Sequence, residues 1–191
     1  MKLPLALLGV IGAATVSGLG AWALSRVGIH QGYSPEQPIA FSHTIHAGQN
    51  KVPCLYCHFG ARTSRHAGIP PLSVCMNCHS ILEKQTVEIE KLKEAVQQQS
   101  PVRWIKVHNL PDFVYFNHSQ HVLSGVACQQ CHGPVETMDR VKQAAPLTMG
   151  WCLQCHREHA KIPATEFERA TLSLAHKQKP VAGLDCSSSH Y

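Results

Sequence analysis

Four times in 191 residues the chain reads Cys-x-x-Cys-His: Cys54-Leu55-Tyr56-Cys57-His58, Cys75-Met76-Asn77-Cys78-His79, Cys128-Gln129-Gln130-Cys131-His132 and Cys152-Leu153-Gln154-Cys155-His156. The spacing answers a specific chemical need. Two thiols three positions apart add to the two vinyl groups of one haem, and the histidine that follows turns its imidazole onto the iron. A thioredoxin-like thiol pair would occur once, in a β-α-β setting that is missing here. A zinc ribbon pairs cysteines but has no reason to place histidine after every second one. The reading is haem c, with thioethers from Cys54, Cys57, Cys75, Cys78, Cys128, Cys131, Cys152 and Cys155 and proximal ligands His58, His79, His132 and His156. A chain built this way folds around porphyrins. With 6% aromatic and 15% charged residues, it has the means for only a thin side-chain core and no charge-driven disorder.

The chain holds 9 Cys and 14 His, and an odd cysteine count speaks against a simple disulfide framework. The ninth cysteine opens Cys186-Ser187-Ser188-Ser189-His190, which keeps the motif's spacing with serine in place of the second thiol. The expectation is a fifth haem c held by one thioether from Cys186, with His190 as proximal ligand. A tail with a free thiol is the plainer alternative.

Around the motifs the sequence repeats. Phe41-Ser42-His43-Thr44-Ile45-His46 recurs as Phe116-Asn117-His118-Ser119-Gln120-His121, and each copy precedes two Cys-x-x-Cys-His motifs. The approach to the second motif is also shared, Pro71-Leu72-Ser73 against Pro146-Leu147-Thr148. Two imidazoles three residues apart lie one helical turn from each other and can serve two neighbouring haems. His43, His46, His118 and His121 are therefore expected as distal ligands. His66 is expected at the haem of Cys75 and Cys78. Met138, Met149 and His108 are further distal candidates; a His/Met haem would have a raised potential, and either methionine could simply pack on a porphyrin. His30, His159 and His176 read as linker, surface or propionate contacts. Between the repeats, Ser80 and Glu83 suggest a capping box opening a helix, with Ile89, Leu92 and Val96 on one apolar stripe and Ser100-Pro101 ending it.

Residues 3–25 carry no charge and lie between Lys2 and Arg26. That length of helix reaches roughly 35 Å, enough to cross a bilayer core of about 30 Å, and it exceeds an ordinary signal-peptide apolar run. A cleaved signal peptide is the alternative, since Ala21-Trp22-Ala23 loosely fits a cleavage site. The expected division is a membrane anchor at 1–26, a linker at 27–40 rich in glycine and proline, and a haem domain at 41–191. Within the last, the repeats occupy 41–80 and 116–157, with a C-terminal haem segment at 158–191. The fold class expected is mainly α and irregular: a multihaem cytochrome c with two dihaem repeats of c3/c7 type and one N-terminal transmembrane helix. The net charge of +5 is scattered, without the basic block of a nucleic-acid binder. About ten propionates on five haems would outweigh it, which leaves the sign of the surface open.

With these units in place the chain resembles the multihaem cytochrome c3/c7 superfamily. It is more closely similar to the pentahaem cytochrome subunits of alternative complex III, a bacterial quinol oxidoreductase. The segments that carry the likeness are Ser64-Arg65-His66-Ala67-Gly68-Ile69-Pro70, His108-Asn109-Leu110-Pro111-Asp112 and Leu147-Thr148-Met149-Gly150-Trp151-Cys152. The resemblance implies an electron-transfer subunit, non-catalytic by itself, in the inner membrane of a bacterium with its haems on the periplasmic side. Its partners would be iron–sulfur and quinol-binding subunits, a soluble or membrane electron acceptor and the lipid bilayer. Ser189 is the departure from the pattern. A stand-alone, membrane-anchored quinol dehydrogenase of the tetrahaem type, feeding a periplasmic reductase, is the alternative; the duplicated F-x-H-x-x-H and the fifth site do not fit it. A terminal reductase would need a five-coordinate haem, which so many spare histidines and two placed methionines speak against.

Overall fold

Haem-binding motifs need only one helical turn each, and short helices joined by irregular chain are what the sequence forms. The computed structural model describes residues 4–83 and 85–160. Helix α1 spans Leu5–Leu24, α2 Cys54–Cys57, α3 Leu72–His79, α4 Val87–Gln97, α5 His118–Leu123, α6 Cys128–His132 and α7 Met149–Ala160. Wider or tighter turns occupy Thr44–Gln49, Phe59–Arg62 and Val135–Thr137. No strand occurs among the described residues. Cys186, Ser189, His190 and His176 lie outside them, as does the side chain of His159.

Helix α1 carries no charged residue. Its stretch Leu7–Leu24 has a mean hydropathy of 1.7, and no part of that stretch is covered by the rest of the chain. Its 20 residues extend about 30 Å, the thickness of a bilayer core. At its C-terminal end the Arg26 guanidinium lies over the Trp22 ring, 5.2 Å from the centroid. An aromatic ring beside a cation is a common arrangement at a membrane–water boundary.

Each Cys-x-x-Cys-His falls on a helix or its end. Pro53 and Pro71, both extended, stand just ahead of α2 and α3, where a missing N–H is harmless. Helix α4 departs from the sequence reading. It begins at Val87, not near Ser80, because the Thr86 hydroxyl accepts the Ile89 N–H, while Ser80 closes α3. Glu88 and Glu90 favour this start from the first turn. The stripe is as read from the sequence, with Leu92 buried, and Gln99 at φ 51° lets Ser100 N donate back to Ala95 O.

The two histidine-pair segments pack reciprocally. Thr44–Gln49 lies on Val135–Thr137, behind the third motif, and α5 lies on Phe59–Arg62, behind the first. His43 N and Thr44 N donate to Met138 O at 3.1 and 3.3 Å. His118 N donates to Arg65 O and Ser119 N to Ser64 O, both at 3.2 Å. Each half is thus held by the other. The first segment is a wide turn and not the regular helix expected, with Asn50 N reaching back to Ile45 O. A side chain at Gly48 would collide with Glu136 O, so close docking selects both the glycine and the turn.

Buried apolar side chains among the described residues are few: Ala61, Leu92, Met138 and Leu147. Tyr56, Phe59 and Leu123, all beside the motifs or histidine pairs, are exposed. The one-sided packing matches a chain whose interior is shared with a bound group. Gly133, directly after the third motif, adopts φ 71° and ψ −169°, a region almost reserved for glycine. A Cβ there would sit 2.6 Å from that of Ala144. Gly133→Ala is expected to destabilise the fold by about 1–3 kcal/mol, read as a lowered denaturation midpoint.

Candidate functional site

The histidines of each F-x-H-x-x-H are set by the phenylalanine before them. Phe41 meets His43 edge-on at 4.8 Å and stacks on His46 at 4.2 Å. Phe116 meets His118 edge-on at 4.8 Å and tilts over His121 at 4.4 Å. The Nδ1 of His46 lies 2.8 Å from Ser42 O, and that of His121 lies 2.9 Å from Asn117 O. With Nδ1 held on a carbonyl, Nε2 is the nitrogen left to bind a metal. Phe41 and Phe116 were visible as part of the repeat, but their role as wedges between two rings needed the structure.

Across from these rings stand the motif histidines. His46 and His79 have ring centroids 6.0 Å apart, tilted by 57°. His121 and His156 repeat the arrangement at 6.1 Å and 57°. His118 and His132 lie 6.3 Å apart and 13° from parallel. An iron at about 2.0 Å from each of two opposed imidazole nitrogens separates the centroids by about 6 Å. Three pairs therefore stand at the separation of a six-coordinate haem iron. For His43, the histidine that bears on it most strongly is His58, whose Nδ1 is held 2.7 Å from Gly68 O.

Burial decides the charge state of these groups. It pushes His43 down to about 4, helped by His58 and His46. It pushes His132 down to about 4 as well, helped by His108, His118, His58 and His43. His79, His108 and His121 are lowered for the same first reason. These imidazoles are neutral at pH 7, the form a metal requires. His43 Nδ1 and His79 Nδ1 are buried without a hydrogen-bond partner. Burial raises the thiols of Cys57, Cys75, Cys128, Cys131, Cys152 and Cys155, so they are protonated at pH 7. All eight described cysteines are free of disulfides. Paired imidazoles, cysteines outside any disulfide and a thin core together fit c-type haem.

The other sequence candidates sit elsewhere. His66 is exposed on the loop before α3; the ring facing His79 is that of His46. His108 touches His132 at 4.4 Å between centroids, with Nε2 only 3.1 Å from Nδ1 of His132. Met138 is buried, with its methyl close to Gly133, and Met149 is half-buried at the start of α7. His30 meets Tyr33 edge-on at 6.1 Å, in a hollow it shares with Lys106.

Residues 120–191 match the cytochrome c3 family. The stretch contains His121, the third and fourth motifs and the Cys186 segment. The multihaem cytochrome c subunit of menaquinone reductase from Nitratidesulfovibrio vulgaris is 33% identical over 123 residues, 64% of this chain and 56% of the relative. The chain thus spans just over half the length of this curated relative. The matched stretch is thus similar to a c3-type multihaem domain, a family that carries c-type haem, and the described residues are mainly helical and irregular.

Proposed function

We propose that the chain is a membrane-anchored pentahaem cytochrome c that carries electrons inside a quinol-linked oxidoreductase complex, as in alternative complex III. The single observation behind this reading is the near-identity of the His46–His79 and His121–His156 pairs, which supports taking the two halves as equivalent dihaem units. Residues 41–80 and 116–157 form those units, 158–191 the fifth site, and 1–26 the anchor. When bound, haem c supplies reversible one-electron chemistry. The chain's part would be to hold the four haems of the Cys-x-x-Cys-His motifs between His58, His79, His132 and His156 and the pair histidines His43, His46, His118 and His121, which would leave substrate no position there and change little between oxidation states. His43 and His46 bind neighbouring haems from one turn, and His118 and His121 do the same, which keeps the cofactors of each half close.

The partners proposed are iron–sulfur and quinol-binding subunits in a bacterial inner membrane, with the haem domain on the periplasmic side. The fifth haem is assigned to Cys186 and His190. The relative's name favours a second reading on one point, the direction of flow: electrons would leave the haems for menaquinone. Extraction of the native protein is expected to require detergent, and iron–sulfur and quinol-binding chains should co-purify with it. A soluble form beginning near Ser25 would remove the anchor. Haem reduction by added quinol supports the first direction, and reoxidation of reduced haem by added quinone the second.

A further inference from the structure

Four of the motif and pair histidines hold Nδ1 on main-chain carbonyls. His46 uses Ser42 O, His58 uses Gly68 O, His118 uses Arg65 O and His121 uses Asn117 O, all between 2.7 and 2.9 Å. His132 uses another imidazole. Its Nδ1 lies 3.1 Å from His108 Nε2, with the rings 79° apart. That separation is a hydrogen bond, and it is too short for an iron between the two nitrogens, which needs about 4 Å. The ring at iron-spanning distance from His132 is His118, at 6.3 Å.

We propose that His108 is a positioning residue for the haem of Cys128 and Cys131, acting through the proximal ligand and not on the iron. The inference rests on the reading of His132 as that ligand. With Nε2 of His132 on iron, its Nδ1 carries the proton and donates to Nε2 of His108, whose own proton is then on Nδ1. A neutral imidazole is a stronger acceptor than a peptide carbonyl. It makes His132 a more basic ligand, which favours ferric over ferrous iron and lowers the potential of this haem relative to one backed by a carbonyl.

His108 is held in place by a buried amide. The next residue, Asn109, donates its N–H to Gln143 Oε1 at 2.8 Å. Gln143 is fully buried, and Gln143 N donates to Tyr33 O at 3.0 Å while its own carbonyl accepts Gly32 N at 2.8 Å. Its Nε2 donates to Pro146 O at 3.3 Å. The linker after α1 bonds the main chain of Gln143, while the loop of His108 and the approach to α7 meet at its side chain. Such a clamp gives the imidazole a fixed direction.

The test is a potentiometric titration of the detergent-solubilised full chain, followed by its visible spectrum, in wild type, His108→Leu and His108→Gln. In His108→Leu every haem should remain attached and low-spin, and one potential should rise. A tenfold loss of ferric preference, the low end of such effects, reads as about 59 mV. His108→Gln, which keeps an acceptor oxygen, should recover most of the shift. His108→Asn, polar but too short to reach Nδ1, should rise like leucine and serves where that variant fails to accumulate. Unchanged potentials, or a new high-spin haem, overturn the proposal. Peptide mapping that finds no haem on Cys128 and Cys131 overturns the underlying reading, and the inference with it.

Discussion

His46→Ala is expected to leave every haem attached and to turn one of them high-spin. The thioethers of Cys75 and Cys78 would keep the porphyrin in place, because covalent attachment does not depend on the distal side. His79 would then face an empty position where a ring now stands 6.0 Å away. The nearest other imidazole of the segment, His43, is tied by its backbone to Met138 O and cannot swing across without breaking the reciprocal packing. His121→Ala should behave identically through His156, 6.1 Å away, and the double variant should show two high-spin haems. Optical and magnetic spectra of the oxidised proteins count them. His66→Ala should leave all haems low-spin; if it creates the high-spin haem while His46→Ala does not, the pairing proposed for His79 is wrong.

Cys186→Ala is expected to remove a whole covalent haem, taking the chain from five to four by mass spectrometry after denaturation. The Cys186-to-His190 segment retains the first thiol and the histidine at motif spacing. Ser189 exchanges sulfur for oxygen at nearly constant size, so one vinyl group would remain free while Cys186 would form the other bond. Ser189→Cys should add the second thioether and shift the alkaline pyridine haemochrome band to the two-bond position. A wild-type chain with four haems and a Cys186 thiol open to alkylation would make this a tetrahaem protein.

Local chemistry was the legible part of the sequence. Cys-x-x-Cys-His needs one turn of chain, and each described copy lies on α2, α3, α6 or α7 or at its end. The uncharged stretch before Arg26 reads directly as α1. What escaped reading depends on contacts between distant segments. Nothing near His118 in the sequence announces Arg65 O as its partner, and nothing near His108 announces His132. The wide turn at Thr44–Gln49 arises because Gly48 must pass close to Glu136, a residue of the other half. The start of α4 was a contest between two local caps, which the Thr86 hydroxyl wins by holding Ile89 N. Gln143, the only large side chain fully buried among the described residues, carries no motif at all.

Electron paramagnetic resonance of the oxidised wild-type protein, in its native complex and before any substrate is added, tests the central claim most directly. The four irons proposed at the Cys-x-x-Cys-His motifs, each held by two imidazoles of this chain, would give low-spin ferric signals alone, of the bis-imidazole type. A substantial high-spin ferric signal from this subunit would mean an open coordination position, and would contradict a pure electron carrier in favour of a haem that binds substrate.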